Sequence, residues 1–166
     1  NGITVDRAGF LLNNEMDDFS IKPGHPNLYG LIGNYANSIA PGKRMLSSMT
    51  PTIVEDKNNN LFMVLGTPGG STIITTVAQI LMNVIDFNMP IKEAVEMKRF
   101  HHQWLPDKIQ IERHSFGKEV VDKINSLGHQ VIIRSSIGDA NCIQLGQNGL
   151  RYACSDSRRG GVSLAY

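Results

Sequence analysis

The stretch "LFMVLGTPGGSTIITTVAQILMNVID", Leu61 to Asp86, changes character at its middle. Up to Gly66 it is a short apolar run of strand length. From Ser71 to Asp86 the apolar residues Ile73, Ile74, Val77, Ile80, Leu81, Val84 and Ile85 follow helical spacing and form one broad stripe. Between the two lie adjacent glycines, Gly69 and Gly70. A helix N-terminus leaves backbone N–H groups unpaired and carries a partial positive charge. Glycine lets another group approach that backbone closely. The pair is therefore either a tight turn or a site for an anion or oxyanion, and the stretch by itself leaves both open. It lacks the lysine and the spacing of a nucleotide phosphate loop.

The segments around it extend the same pattern. "TIVED" (Thr52 to Asp56) precedes Leu61–Gly66 across the polar Lys57–Asn60, a hairpin signature. Pro90 opens a second helix that runs to about Arg99. "KIQIER" is strand-like, and Gly117 to Leu127 predicts a helix with Val120, Val121, Ile124 and Leu127 inward, stopped by Gly128. "QVIIR", "ANCIQLG" and "LRYACS" predict strands, the last two joined at Asn148-Gly149. The class is α+β with antiparallel pairing, read as a single domain over residues 1–166. Upstream, Gly9 to Asn14 predicts a short buried strand. Residues 20–44, "SIKPGHPNLYGLIGNYANSIAPGKR", are rich in Gly, Pro and Asn and predict a long functional loop.

Composition narrows the function classes. The chain has 166 residues, 41% hydrophobic and 19% charged, as in globular proteins. A formal net charge of +1 gives no support to a nucleic-acid partner. No apolar run of about 18 residues suggests a membrane span. The chain opens on Asn1-Gly2 rather than Met, as expected of a processed or trimmed product. Two cysteines, Cys142 and Cys154, are too few for a disulfide scaffold or a four-cysteine zinc site. If Gln147-Asn148-Gly149 forms a three-residue loop, the two thiols face each other across a hairpin; free thiols are the simpler reading.

Three further clusters could carry chemistry. Glu15, Asp17 and Asp18 follow the predicted strand, beside Asn13 and Asn14. They fit solvated loop charges or the recognition of a cation such as a substrate ammonium, and do not match a calcium loop. Ser47 and Ser48 fit a turn or cap, or hydroxyl donors to a carboxylate. His101 and His102 are adjacent, diverge on regular structure, and suit structural hydrogen bonds better than metal ligation. No serine elbow and no cysteine–histidine pair supplies a nucleophile.

Five stretches together, "LLNNEMDDFSIKPG", "PNLYGL", "KRMLSSMTPTIV", "GTPGGSTIITT" and "FHHQWLPD", resemble the small, C-terminal subunit of gamma-glutamyltranspeptidases, in order from about Gly9 to Arg158. The resemblance implies an N-terminal-nucleophile hydrolase αββα sandwich, of which this chain is one part, cut by self-processing from a precursor that also yields a large subunit. It implies attack by an N-terminal Thr on the gamma-glutamyl amide of glutathione or related compounds. The acyl group then passes to water, amino acids or peptides. By motif, Gly69 and Gly70 would form the oxyanion hole. Glu15, a position where the family also uses Gln, and Asp18 would hold the α-ammonium. Ser47 and Ser48, with an Arg of the large subunit, would hold the α-carboxylate. Tyr29 would lie in the lid loop, residues 20–44. No metal or cofactor is implied, and the location would be periplasmic or secreted. The nucleophilic Thr starts a segment ahead of this chain's first motif, so the chain alone is expected to be inactive. Three positions depart from the family pattern: Met45 for Pro, Thr72 for Arg, and Ser157 for Pro. A side-chain amide acylase of the same superfamily, or a noncatalytic binder of gamma-glutamyl compounds, are the alternatives.

Overall fold

The computed structural model describes residues 2–164. Where the sequence suggests no boundary, contacts separate two compact units, Asn1–Ser48 and Met49–Tyr166.

The first unit is built from turns. Among its described residues the regular elements are two single-turn 3-10 helices, Glu15–Asp18 and Tyr35–Asn37. Isolated bridges join Thr4 to Leu11 and Pro26 to Ile32. The expected strand over Gly9–Asn14 does not form. Phe10, Leu11 and Leu12 are exposed, and the Thr4–Leu11 bridge is the extent of its pairing among the described residues. An apolar run becomes a strand only when a neighbour completes its ladder. Residues 20–44 are a loop as expected, pinned by Asn side chains. Asn27 Oδ1 accepts from the amides of Tyr29 and Leu31 (both 3.0 Å), a local turn that Asn favours.

The second unit holds the core. A four-stranded antiparallel sheet has the order β1 (Thr52–Glu55), β2 (Leu61–Gly66), β6 (Asn141–Leu145), β7 (Arg151–Ser155). A three-stranded sheet contains β3 (Phe100–His101), β4 (Ile109–Glu112) and β5 (Val131–Arg134). Strands β4 and β5 are parallel and joined through helix α3 (Lys118–Ser126). Helix α1 (Ile73–Ile85) presents Ile73, Thr76, Val77, Ile80 and Val84 inward, while Ile74 and Ile85 are exposed, so the buried stripe is narrower than the sequence suggests. Helix α2 (Ile91–Glu96) is shorter than expected. Met97 leaves the helical conformation at φ −53° and ψ 138°, and Arg99, two residues on, enters a buried charge network described below. The core joins Met63 and Leu65 of β2 to Val77, Ile80 and Val84 of α1, Ile91, Ala94 and Val95 of α2, and Cys142 and Cys154. Helix α3 buries none of its residues; Val120 and Leu127 are exposed, against expectation, because the helix packs on β5 alone among the elements it touches closely.

The β6–β7 hairpin has the conditional register. Leu145 pairs with Arg151, the Gly146 amide donates to the Leu150 carbonyl (2.9 Å), and Gln147-Asn148-Gly149 is the loop. Gly149 takes φ 77°, the left-handed position of a three-residue hairpin. Cys142 therefore faces Cys154, and both are free buried thiols. Burial first, then the neighbouring Cys154, pushes the Cys142 thiol up to about 12, which removes it as a nucleophile at neutral pH.

Candidate active site

Strand β2 ends at Gly66, and the chain reaches α1 through Thr67-Pro68-Gly69-Gly70-Ser71-Thr72. Gly69 has φ 150° and Gly70 φ 56°, both in the region that glycine tolerates and side chains resist. A Cβ on Gly69 would also stand 2.5 Å from Thr72 Oγ1. Residues 70–72 form a 3-10 turn leading directly into the 13-residue α1. The Gly69 carbonyl is held twice, by the Thr72 amide (3.1 Å) and the Thr72 hydroxyl (2.9 Å). A trans peptide is planar, so pinning that carbonyl fixes the Gly70 N–H in the opposite direction. Among the described residues neither the Gly69 nor the Gly70 amide donates to another group. Two free amides at the positive end of a helix can stabilise a developing oxyanion. Thr72, a departure from the family pattern, thus acts directly on the turn.

The turn is backed by the segment between β5 and β6. Gly138 packs so closely on Thr67 and Thr76 that a Cβ there would come within 3.0 Å of both. The Asp139 amide donates to Thr67 Oγ1 (2.8 Å). Four charges hold this segment, and the sequence reading missed three of them and gave the fourth, Arg158, no role. Glu112 Oε1 accepts from the Ile137 amide (2.7 Å), Arg99 Nη1 donates to the Ile137 carbonyl (2.8 Å), and Asp156 Oδ2 accepts from the Ala140 amide (3.0 Å). Arg158 forks onto both Glu112 oxygens (2.7 Å each) and reaches Asp156 Oδ1 (3.0 Å), while Arg99 Nη2 meets Asp156 Oδ2 at 2.8 Å. Burial alone would raise both carboxyls; hydrogen bonds from Arg158 and the backbone outweigh it and hold them below the ordinary range. Arg99 is lowered by burial and by Arg158, whereas Arg158 is raised because its two carboxylate partners outweigh its own burial. The signal available in sequence was a charge, Glu112, closing an apolar strand, and an acid–base pair, Asp156 and Arg158, just past another.

Ser157 uses the freedom that a proline would lack. Its amide donates to Glu96 Oε1 (3.1 Å) and its hydroxyl to Glu96 Oε2 (2.6 Å). His101 is structural as expected: Nε2 donates to Gln103 Oε1 (2.9 Å), so Nδ1 accepts from Thr75 Oγ1 (2.8 Å). Burial is the main reason its protonation is suppressed. His102 pairs instead with Asp107 (3.0 Å). Among the described residues no group of three or more His, Cys, Asp or Glu could hold a metal ion, and no helix is long and apolar enough to cross a membrane.

The remaining candidates lie in the first unit. Glu15 and Asp18 open and close one 3-10 turn, and residues three apart eclipse in that geometry, so both project from one side. Asp17 is set apart from them: its Oδ2 accepts from the Leu28 amide (3.3 Å). Glu15 is exposed and Asp18 half-buried. Ser47 is exposed, Ser48 half-buried, and both follow Leu46, whose amide donates to Asn37 Oδ1 (3.2 Å). Tyr29 sits exposed in the loop.

Known proteins share this sequence and fold. The gamma-glutamyltranspeptidase family model matches residues 1–166. The chain is 46% identical to a glutathione hydrolase proenzyme of Escherichia coli (strain K12) over 157 residues, covering 95% of this chain and 27% of that protein. It thus spans little more than a quarter of that relative's length. A solved variant of Helicobacter pylori gamma-glutamyltranspeptidase superposes with a TM-score of 0.89 at 54% identity, covering 95% of this chain and 86% of that one. The Pseudomonas nitroreducens gamma-glutamyltranspeptidase complexed with L-DON gives 0.91 at 43% identity, covering 99% and 86%. The fold is accordingly that of the N-terminal-nucleophile hydrolases, and the chain belongs to the gamma-glutamyltranspeptidase family.

Proposed function

We propose that this chain is the small-subunit part of an enzyme that cleaves gamma-glutamyl amides, glutathione among them, and passes the acyl group to water, amino acids or peptides. The nucleophile is an N-terminal Thr that starts a segment preceding the first family motif at Gly9, freed when a precursor cleaves itself, with its own amine as base. Its oxygen bonds to the amide carbon, the carbonyl oxygen takes up negative charge, and the C–N bond then breaks as the leaving amine gains a proton. Gly69 and Gly70 stabilise that oxyanion through their amides. Glu15 and Asp18 bind the α-ammonium; Ser47 and Ser48 bind the α-carboxylate, joined by an Arg of the large subunit. Tyr29 covers the bound glutamyl group. A zwitterion demands both signs of recognition at once, and a substrate lacking either charge leaves polar groups unpaired. The enzyme is exported to the periplasm or beyond the cell.

The observation that carries this reading is the Gly69-Gly70 turn, with two amides lacking acceptors at the head of α1. The test is release of 4-nitroaniline from its gamma-glutamyl derivative by the full-length protein, with the glutaryl derivative beside it. Efficient turnover of the first and poor turnover of the second is expected. No turnover of either would favour a noncatalytic binder, and equal turnover of both would favour an acylase; each outcome overturns the proposal.

A further inference from the structure

Within the first unit, the two halves of the zwitterion clamp meet on one side chain that the sequence reading passed over. Asn37 Nδ2 donates to the Asp18 carbonyl (2.7 Å), and Asn37 Oδ1 accepts from the Leu46 amide (3.2 Å). Asp18 closes the turn that presents Glu15 and Asp18, and Leu46 immediately precedes Ser47 and Ser48. We propose that Asn37 is the positioning residue that sets the spacing between the ammonium-binding carboxylates and the carboxylate-binding hydroxyls, and so enforces selection for substrates carrying both charges. This rests on the functional reading above.

The geometry suits the task. A carboxamide is planar, with its donor and acceptor on a rigid frame, so two backbone groups bonded to its two ends are held at one separation. Among short side chains asparagine alone holds its donor and its acceptor on separate atoms of a planar group; Asp has no donor when ionised, and Ser carries both on one oxygen and reaches less far. The residue is itself held from both sides. Its amide donates to the Asn34 carbonyl (3.1 Å), and its carbonyl accepts from the Ser20 amide (2.9 Å). It ends the 3-10 turn Tyr35–Asn37, whose start is capped by Asn34 Oδ1 accepting from the Ala36 amide (2.9 Å). The half-buried side chain therefore has a fixed origin as well as two fixed ends. It also lies within residues 20–44, so the loop that carries Tyr29 is tied to the clamp through the same group.

Asn37 touches no reacting atom, so its removal should weaken substrate binding more than the chemical step. A displacement of about 1 Å in a positioning group can cost on the order of a hundredfold. In the full-length protein, Asn37→Ala should raise KM for the gamma-glutamyl anilide roughly tenfold or more while kcat stays within about threefold. The preference for the gamma-glutamyl over the butyryl anilide, which lacks both the α-carboxylate and the α-ammonium, should shrink by a similar factor. A purely structural role would lower the active fraction, reducing kcat with KM and preference unchanged; that result overturns the inference. Asn37→Asp keeps the link to Leu46 and the side-chain shape but loses the donor to Asp18, and gives the same readout if the alanine variant does not fold. It should show the same loss of preference, and wild-type KM and preference in Asn37→Asp would overturn the inference likewise. Absence of turnover in the wild type would instead count against the functional reading itself, so the two failures are distinct.

Discussion

The two units of this chain are stabilised by different means. In Asn1–Ser48 the backbone is satisfied by turns and by side-chain amides: Asn13, Asn27, Asn34 and Asn37 each bond a main-chain group. Among its described residues Phe19 is the one buried large apolar residue. In Met49–Tyr166 the four-stranded sheet and two of the helices enclose a continuous apolar cluster, and a quartet of buried charges braces the segment behind the glycine turn. The lesson concerns what each can do. Small polar side chains fix local shape without a core, which suits a recognition loop. Fixing two backbone amides against the charge of a transition state requires a packed frame with paired charges.

The sharpest way to break this contrast is to unpair the buried charges. Asp156→Ala should destabilise the full-length protein by about 3–5 kcal/mol in urea denaturation, because Arg99 loses its partner in a dry site. The same network predicts the response to acid. Glu112 and Asp156 both titrate lower when folded than when unfolded. Their contribution is complete above the unfolded carboxylate range, about pH 4, and is lost as pH falls through the lower folded values, because the unfolded chain takes up protons first. Asp156→Asn should flatten the acid side of a melting-temperature profile, and an unchanged slope would remove Asp156 from the account. Next in size, Ile80→Ala should cost about 2–4 kcal/mol by opening a cavity between α1 and the sheet, measured in the same denaturation series.

Effects in the first unit should be smaller and local. Asn34→Ala removes the acceptor of the Ala36 amide and should cost about 1 kcal/mol, seen as faster hydrogen exchange confined to that turn. Tyr35→Ser should change stability by less than about 0.5 kcal/mol, since the side chain is 83% exposed. A global loss comparable to that of Ile80→Ala from either variant would show that the first unit shares the stability of the second.

Much of the second unit was legible in advance. Apolar runs, turn signals and helical patterning located β1, β2, α1 and the β6–β7 hairpin, and the condition under which Cys142 faces Cys154, a three-residue loop Gln147-Asn148-Gly149, is the one the structure meets. The misses share a cause. Gly9–Asn14 has the composition of a strand without a ladder partner, and α3 has a helical stripe without a surface to cover it. Burial depends on what lies opposite, and patterning reports only one side. The candidate site divides similarly. Glu15, Asp18, Ser47, Ser48, Tyr29, Gly69 and Gly70 stood out by residue type and motif. Thr72 stood out only as a departure from the family pattern. Asn37 and the quartet of Arg99, Glu112, Asp156 and Arg158 did not, because their roles lie in partners that are in several cases far away in sequence.

The sequence by itself determined the element types, the family and the chemical kinds of group available: glycine amides, paired carboxylates and adjacent hydroxyls. Only the tertiary structure decided how those groups are aimed. The Gly70 N–H is directed by the grip of Thr72 on the Gly69 carbonyl, the turn is backed by a segment held on buried charges, and Asn37 spans two stretches of backbone. Direction and spacing arise from hydrogen bonds between residues whose separation along the chain carries no periodic signal, and that is why patterning could not supply them.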